Sequence, residues 1–247
     1  MYRLQEGYSE LKKNDKTFEI CRNLLANNKT LLIFPEAICI QEKRLKPLKK
    51  GLSRIIFQTE ESFGFTKDVL IVPIGLNYSD AKSFRSKLFI DCGDPISIKE
   101  YEERYKQDKV RTINEFTKAL EQKITERLII IKNKENDDMV NALMQIYLND
   151  WMKEKNADIN DSYYQYQSER EIVAMVNMID VEYPELTLSL RNKTSHYTKL
   201  LAKAGLQDSL LHPDAVSKMN FGTFLLESIT IYLCMPIYWL GLLVNYQ

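Results

Sequence analysis

The sequence predicts an α/β fold, in which helices flank a mixed and mostly buried β-sheet, followed by a mainly helical C-terminal region. Two observations support this prediction. In the first 95 residues, short continuous apolar runs alternate with segments whose apolar residues recur at helical spacing. After Pro95 the helical spacing continues without another convincing strand pattern. A chain of 247 residues that is 45% hydrophobic can bury the core that such a fold needs.

The first half contains two helical segments and three apolar runs. Residues 16–27 and 51–62 carry apolar side chains at helical spacing, and Gly51 opens the second of these predicted helices. Short continuous apolar runs are typical of strands that are buried on both faces. The predicted strands are residues 30–34 (TLLIF), 69–74 (VLIVPI) and 87–92 (KLFIDC).

The second half is predicted to be helical. Apolar residues recur at helical spacing from Val110 to Leu128, which predicts one long amphipathic helix. Further helical segments are predicted at about residues 136–152, 164–180 and 184–204. The charged, apolar-poor sequence KNKENDD at residues 132–138 is the best candidate for a boundary. We therefore expect three parts: an α/β domain at residues 1–132, a helical region at 133–220 and an apolar segment at 221–247.

The apolar segment allows two interpretations. Between residues 221 and 244 almost every side chain is apolar apart from Glu227 and a few hydroxyls. At about 1.5 Å per residue a helix of this length would nearly cross a bilayer. Glu227 and Pro236 weaken that interpretation, and a buried helix of the second region is the alternative.

Composition excludes several classes of function. Because Lys plus Arg equals Asp plus Glu, the formal net charge is zero and no global charge favours a nucleic-acid partner. The cysteines at positions 21, 39, 92 and 234 lack the close spacing of a zinc knuckle or a redox pair. The first residues contain no apolar run of the kind found in signal peptides. We expect a reduced, cytoplasmic protein without a metal site.

One stretch combines a carboxylate with a cluster of cations. The predicted strand TLLIF runs into Pro35 and Glu36, which places a carboxylate at the carboxyl end of the strand, where α/β sheets bind ligands. Gly51 then opens a helix whose N-terminal N–H groups favour an anion. The cations between them are Lys43, Arg44, Lys46, Lys49 and Lys50. This pattern suits a phosphorylated ligand, although a solvated charged loop would carry the same residues.

The same stretch resembles the 1-acylglycerol-3-phosphate O-acyltransferase family, which includes glycerol-3-phosphate acyltransferases. That family has four ordered blocks: His-x-x-x-x-Asp, a block that ends in arginine, Phe-Pro-Glu-Gly, and an apolar block around Val-Pro. The third and fourth blocks and the basic turn between them are matched by Phe34-Pro35-Glu36-Ala37, Val72-Pro73-Ile74 and Leu48-Lys49-Lys50-Gly51. Tyr2-Arg3 resembles the end of the second block, and Gly93-Asp94-Pro95-Ile96 resembles a turn that follows the fourth.

The resemblance implies transfer of a fatty acyl group to a hydroxyl of glycerol 3-phosphate or a lysophospholipid, in phospholipid biosynthesis. The donor would be acyl-CoA or acyl carrier protein, used as a co-substrate, and no cofactor or metal is implied. The implied acceptor-phosphate side consists of Arg3, Glu36, Lys49, Lys50 and Gly51. The implied structural positions of the motifs are Phe34, Pro35, Ala37, Val72 and Pro73.

The sequence departs from the family pattern in two places. Ala37 replaces the usual glycine of the third block. The two histidines, His196 and His212, are followed five positions later by Leu201 and Ser217, so neither forms His-x-x-x-x-Asp.

We therefore expect the catalytic block to lie before Met1, and the chain by itself to be inactive. We also expect the whole protein at the cytoplasmic face of a membrane, held through its apolar segment. The alternative is a non-catalytic relative that binds a lipid or a partner protein. A His-x-x-x-x-Asp motif in the preceding sequence would favour the enzyme, and its absence would favour the binding module.

Overall fold

The computed structural model describes residues 8–38, 40, 42–81, 86–156, 158, 161–211 and 221–245. Within these ranges the chain forms eight α-helices and four short strands. The helices are α1 (Tyr8–Ala26), α2 (Gly51–Ser62), α3 (Glu102–Gln107), α4 (Lys109–Thr125), α5 (Asp137–Glu154), α6 (Ser162–Glu182), α7 (Pro184–Ala204) and α8 (Phe221–Asn245). The strands are β1 (Leu70–Ile71), β2 (Ile74–Tyr78), β3 (Leu88–Cys92) and β4 (Ile96–Ser97).

The strands form two antiparallel pairs. β1 pairs with β4, and β2 pairs with β3 so that Leu76 faces Ile90. The predicted strand at residues 69–74 is therefore divided at Pro73, which has no N–H to give to a ladder. The Pro73 carbonyl accepts a hydrogen bond from the Gly93 N–H at 2.9 Å, which ties the two turns between the strand pairs together.

The structure does not confirm a mostly buried sheet. The β2–β3 hairpin leaves one face exposed, on which Tyr78, Leu88 and Ile90 lie. Residues 30–34 were predicted to form a strand, and that prediction is wrong: they form neither helix nor strand, and 75% of Leu32 is exposed. An apolar run becomes a strand only where a neighbouring strand satisfies its N–H and C=O groups. None of the described strands pairs with these residues.

The opposite face of the hairpin is fixed to the segment that follows α4. A β-carbon at Gly75 would lie 2.2 Å from the carbonyl oxygen of Arg127, so only glycine permits this approach. The side chain of Asn77 donates to the Arg127 carbonyl at 2.9 Å and accepts from the Ile129 N–H at 2.8 Å. The hairpin thus joins the first half of the chain to the second.

Two apolar cores lie on either side of this junction. In the first, Phe57 of α2 stacks on Tyr105 of α3 at 4.8 Å between ring centroids and meets Phe116 of α4 edge-on at 5.4 Å. The second core lies among residues 129–131, α5 and α6, where Val140 and Val173 are almost fully buried. The helices α2 to α6 therefore each bury apolar side chains in one of the two cores.

Most of the predicted helices are confirmed. α2 has the predicted bounds, and α4 to α7 lie within a few residues of theirs. α1 begins at Tyr8, earlier than residue 16, because its first two turns contain few apolar side chains to reveal the period. The division into three parts stays a prediction. Among the described residues, no helix combines the length and the apolarity that crossing a bilayer requires.

Candidate functional site

The Phe-Pro-Glu-Ala block forms a tight turn against the basic segment. The Ala37 N–H donates to the Phe34 carbonyl at 3.3 Å, and Ala37 has a φ of +56°, in the left-handed region. The Lys49 N–H donates to the Pro35 carbonyl at 2.8 Å. The block and the basic turn, which are separate in sequence, therefore lie side by side.

Glu36 holds the backbone of the basic segment. Its carboxylate oxygen Oε2 accepts a hydrogen bond from the Lys46 N–H at 2.8 Å, and the residue is half-buried. A carboxylate would repel a phosphate, but here it fixes the path of the loop that carries the cations. We call residues 42–50 the basic loop.

The basic loop ends at the N-terminus of α2. Lys50 is the N-cap residue of α2; no side chain caps the first turn, and the first turn contains no acidic residue. The first N–H groups of a helix lack intrahelical partners and carry partial positive charge. Lys49 and Lys50 are exposed here, and the described part of the chain contains no ion pair to either of them. This terminus can receive a phosphate group.

The other three cations of the basic loop are already paired. Lys43 Nζ lies 3.4 Å from Oε2 of Glu169, and Lys46 Nζ lies 3.6 Å from Oε2 of Glu42. Arg44 forms a close ion pair with Asp137. The sequence suggested all five cations as phosphate ligands. Because three of them are paired with carboxylates, Lys49 and Lys50 remain as the candidates.

Glu42 provides a carboxylate within the basic loop, in addition to the Glu36 carboxylate beside it. A hydrogen bond from Lys134 lowers the pKa of the Glu42 carboxyl below its ordinary value, and the charges of Lys134, Lys46 and Arg44 act in the same direction. Partial desolvation opposes this shift. Glu42 is thus charged at neutral pH, where it neutralises cations that would otherwise repel one another.

The Val-Pro block lies in the turn between β1 and β2. Val72 is exposed and Pro73 is buried. A β-carbon at Gly93 would lie 2.9 Å from Cγ of Pro73 and 3.0 Å from Nε of Arg127, so glycine allows this close packing. These residues shape the junction of the two strand pairs.

Arg3 and His212 lie outside the described residues, as do Tyr2, Cys39 and Ser217. His196 is exposed on α7. Among the described residues, no group of three or more His, Cys, Asp or Glu side chains could hold a metal ion. The described cysteines, Cys21, Cys92 and Cys234, are free thiols.

Sequence reasoning missed the residues that fix the basic loop from a distance. Oε2 of Glu121, on α4, accepts the Leu48 N–H at 3.0 Å, although 73 positions separate them. The Ile131 N–H donates to the Lys43 carbonyl at 2.9 Å. No local pattern marks such partners, because the contacts depend on how helices pack.

The segment that contains the motifs is similar to a known family and to two curated proteins. The sequence model of a family described as Acyltransferase matches residues 3–77, which include Glu36, Lys49, Lys50 and Pro73. Glycerol-3-phosphate O-acyltransferase 2 of Saccharomyces cerevisiae is 30% identical over 114 residues, which are 46% of this chain and 15% of that protein. Glycerol-3-phosphate O-acyltransferase 1 of the same yeast is 36% identical over 74 residues, which are 30% of this chain and 10% of that protein.

The aligned part of this chain thus spans no more than about a seventh of the length of either relative. No solved structure gives a significant match. The family match covers the turn at Glu36, the basic loop and all of α2. Residues 3–77 are therefore similar to the acyltransferase family.

Proposed function

We propose that this chain carries the acceptor-binding side of a glycerolipid O-acyltransferase, which transfers a fatty acyl group from a thioester to a hydroxyl of glycerol 3-phosphate. The observation that supports it best is the Lys49-Lys50-Gly51 turn. Within the matched family segment, it presents two exposed ammonium groups beside an uncapped helix N-terminus. The names of both yeast relatives favour glycerol 3-phosphate over a lysophospholipid as the acceptor.

The turn would hold the acceptor by its phosphate and so orient its hydroxyl. Charge-assisted hydrogen bonds from Lys49 and Lys50, with the first N–H groups of α2, bind the phosphate oxygens. Arg3 adds a planar guanidinium, which fits two oxygens at once. Glu36 keeps the loop in place through the Lys46 N–H. Fixing the acceptor in this way removes much of the entropic cost of bringing two substrates together.

The chemical step needs a general base. In this proposal the base is the histidine of a His-x-x-x-x-Asp block that these 247 residues do not contain. The histidine takes the proton of the acceptor hydroxyl, and the oxygen attacks the thioester carbonyl. The C–S bond then breaks, the proton passes to the departing thiolate, and the free thiol leaves with the new ester formed. The carrier of the acyl group is CoA or acyl carrier protein.

Binding of glycerol 3-phosphate to the 247-residue chain tests the acceptor side. We expect isothermal titration calorimetry to detect binding of glycerol 3-phosphate but not of glycerol. Lys49→Ala and Lys50→Ala should each weaken it by about 10–100-fold, because a hydrogen bond to a charged group contributes about 1.5–3 kcal/mol. Lys118→Ala is the matched control, since Lys118 is an exposed lysine of α4. Equal affinities in all three variants would contradict the assignment.

The kinetic test uses a longer polypeptide in which, as this proposal requires, a His-x-x-x-x-Asp block precedes residue 1. We expect Arg3→Ala and Glu36→Ala to lower kcat/KM by about 10-fold or more, and Arg3→Lys to restore little, because lysine lacks the planar fork. Glu100→Ala, at an exposed glutamate outside the site, should leave kcat/KM unchanged. If the preceding sequence contains no such block and the chain still binds the phosphate, the protein is the non-catalytic relative.

A further inference from the structure

The basic loop is fixed by the helical half of the chain as well as by its own domain. Three links cross from residues 43–44 to residues beyond 130: the Lys43–Glu169 ion pair, the Arg44–Asp137 ion pair and the Ile131 N–H bond to the Lys43 carbonyl. The carboxylates of the two ion pairs lie on the first turn of α5 (Asp137) and on α6 (Glu169). Contacts of this kind hold the first part of the loop by side chain and by backbone.

The cations of the basic loop differ in exposure, which indicates two different roles. The side chains of Lys43 and Arg44 are 20% and 14% exposed, and both are paired with helical carboxylates. Lys49 and Lys50, at the other end, are exposed and face solvent at the start of α2. The first pair therefore anchors the loop, and the second pair is left for a ligand.

The anchoring carboxylates fit their places in the helices. Glu169 is 8% exposed at its side chain, and a buried carboxylate needs a partner; Lys43 and the amide of Gln165, 3.2 Å from Oε1, supply it. Asp137 lies in the first turn of α5, where a negative charge also interacts favourably with the helix dipole. Each carboxylate thus also interacts favourably with its own helix, apart from its contact with the loop.

We infer that Asp137 and Glu169 are positioning residues of the acceptor-phosphate site: α5 and α6 clamp residues 43–44, and this sets where Lys49 and Lys50 stand beside α2. The inference rests on the proposed function. It gives the helical half a role in acceptor binding, without contact between these carboxylates and the acceptor. Through Asp137 and Glu169, a rearrangement of α5 and α6 would change the affinity for the acceptor.

The test combines loop dynamics with acceptor affinity in the 247-residue chain. In Asp137→Asn and Glu169→Gln, we expect amide hydrogen exchange of residues 42–50 to accelerate, while exchange within α2 stays unchanged. Glycerol 3-phosphate should bind about 3–10-fold more weakly, the size expected for losing a partly exposed ion pair that acts on the site indirectly. Asp138→Asn is the matched control, because Asp138 is the exposed neighbour of Asp137 on α5.

Exchanging the charges separates positioning from general structure. Arg44→Asp combined with Asp137→Arg should recover most of the affinity that either single change loses, because the pair is restored with its ends reversed. If Glu169→Gln proves too unstable to purify, the Arg44 and Asp137 variants carry the test. Variants that bind and exchange like Asp138→Asn would overturn the inference.

The outcome also distinguishes this inference from the proposed function. Faster loop exchange in the variants, with no glycerol 3-phosphate binding even in the unmodified chain, would overturn the proposed function and the positioning role with it. Binding by the unmodified chain, with loop exchange and affinity that do not respond to Asp137 or Glu169, would overturn the positioning role alone.

Discussion

At the scale of single residues, Ala37 departs from the family pattern that the surrounding sequence resembles. The turn after Glu36 requires a φ of +56° at position 37, a conformation in which a β-carbon crowds the backbone. Glycine, the residue that the family pattern places there, adopts it without that strain. The Ala37 N–H bond to the Phe34 carbonyl and the Lys49 N–H bond to the Pro35 carbonyl hold the turn on both sides.

Replacing Ala37 with glycine should therefore stabilise the chain slightly. Removing about 1–2 kcal/mol of left-handed strain outweighs the roughly 0.4–1 kcal/mol that glycine adds to the entropy of the unfolded state. Ala174→Gly, at an exposed position inside α6, should instead destabilise by about 1 kcal/mol. Urea unfolding measures both changes. A loss of stability in Ala37→Gly equal to that in Ala174→Gly would show that the turn carries no strain.

At the scale of elements, periodicity predicted the helices better than the strands. The bounds of α2 follow from its apolar positions and from Gly51, and both are local features. A strand depends on a partner: residues 30–34 have the composition of a buried strand but pair with none of the described strands.

The residues of the site also differ in how far the sequence predicts them. Glu36 and Lys49–Lys50 lie in a short recognisable stretch, whereas Glu121, Asp137 and Glu169 reach the loop only through helix packing.

Tyrosines join helices to their neighbours in both cores. Tyr166 of α6 donates a hydrogen bond to Asp91 of β3 at 2.9 Å and stacks on Phe89. Tyr105 of α3 donates to Glu61 of α2 at 3.0 Å. The pKa of both phenols is raised to about 12. Burial is the larger cause, and the carboxylate that accepts each hydrogen bond is the second.

Because the folded pKa of both phenols lies above the unfolded value of about 10, their stabilising effect is complete below pH 10 and is lost as the pH rises through 12. We expect the free energy of unfolding to fall over this range. Urea unfolding at several alkaline pH values measures the slope, which should be shallower in Tyr105→Phe and Tyr166→Phe. Tyr183→Phe, at an exposed tyrosine, should keep the original slope. An unchanged slope in all three variants would contradict the assignment of the two buried phenols.

At the scale of the whole molecule, the chain contains the proposed acceptor site, but neither of its histidines has the His-x-x-x-x-Asp spacing of a catalytic base. His196 is exposed on α7 and is followed five positions later by Leu201, so it has no aspartate in the family spacing. We expect the 247-residue chain to show no acyl transfer from acyl-CoA to glycerol 3-phosphate or lysophosphatidate, because general-base catalysis is typically worth about 10²–10⁴-fold. An assay with radiolabelled acyl-CoA measures this. Turnover that disappears in His196→Ala or His212→Ala would mean that the active site lies in the helical half.

α8 is the part of the molecule that most needs a covering surface. Its described apolar side chains are exposed, and they surround the helix instead of lining one face. They are Leu225, Leu226, Ile229, Ile231, Tyr232, Leu233, Met235, Tyr238, Trp239 and Leu240. An apolar surface of this extent is unfavourable in water. The sequence left open a buried helix of the second region, but that interpretation does not agree with the exposure of these side chains.

We therefore predict that the protein associates with the cytoplasmic face of a membrane through α8. Burying apolar surface yields about 25 cal/mol per Å², and Trp239 and Tyr238 are residue types that settle at the bilayer interface. A membrane-bound site would also spare a long acyl chain from crossing water, at about 0.8 kcal/mol per CH₂. Fractionation of expressing cells and flotation with liposomes should recover the chain with lipid. The double variant Leu226→Glu and Leu233→Glu should no longer bind lipid. Val110→Glu, at an exposed apolar residue of α4, is the control and should still bind lipid. A monodisperse soluble species at low salt without detergent would instead show that α8 is covered by protein.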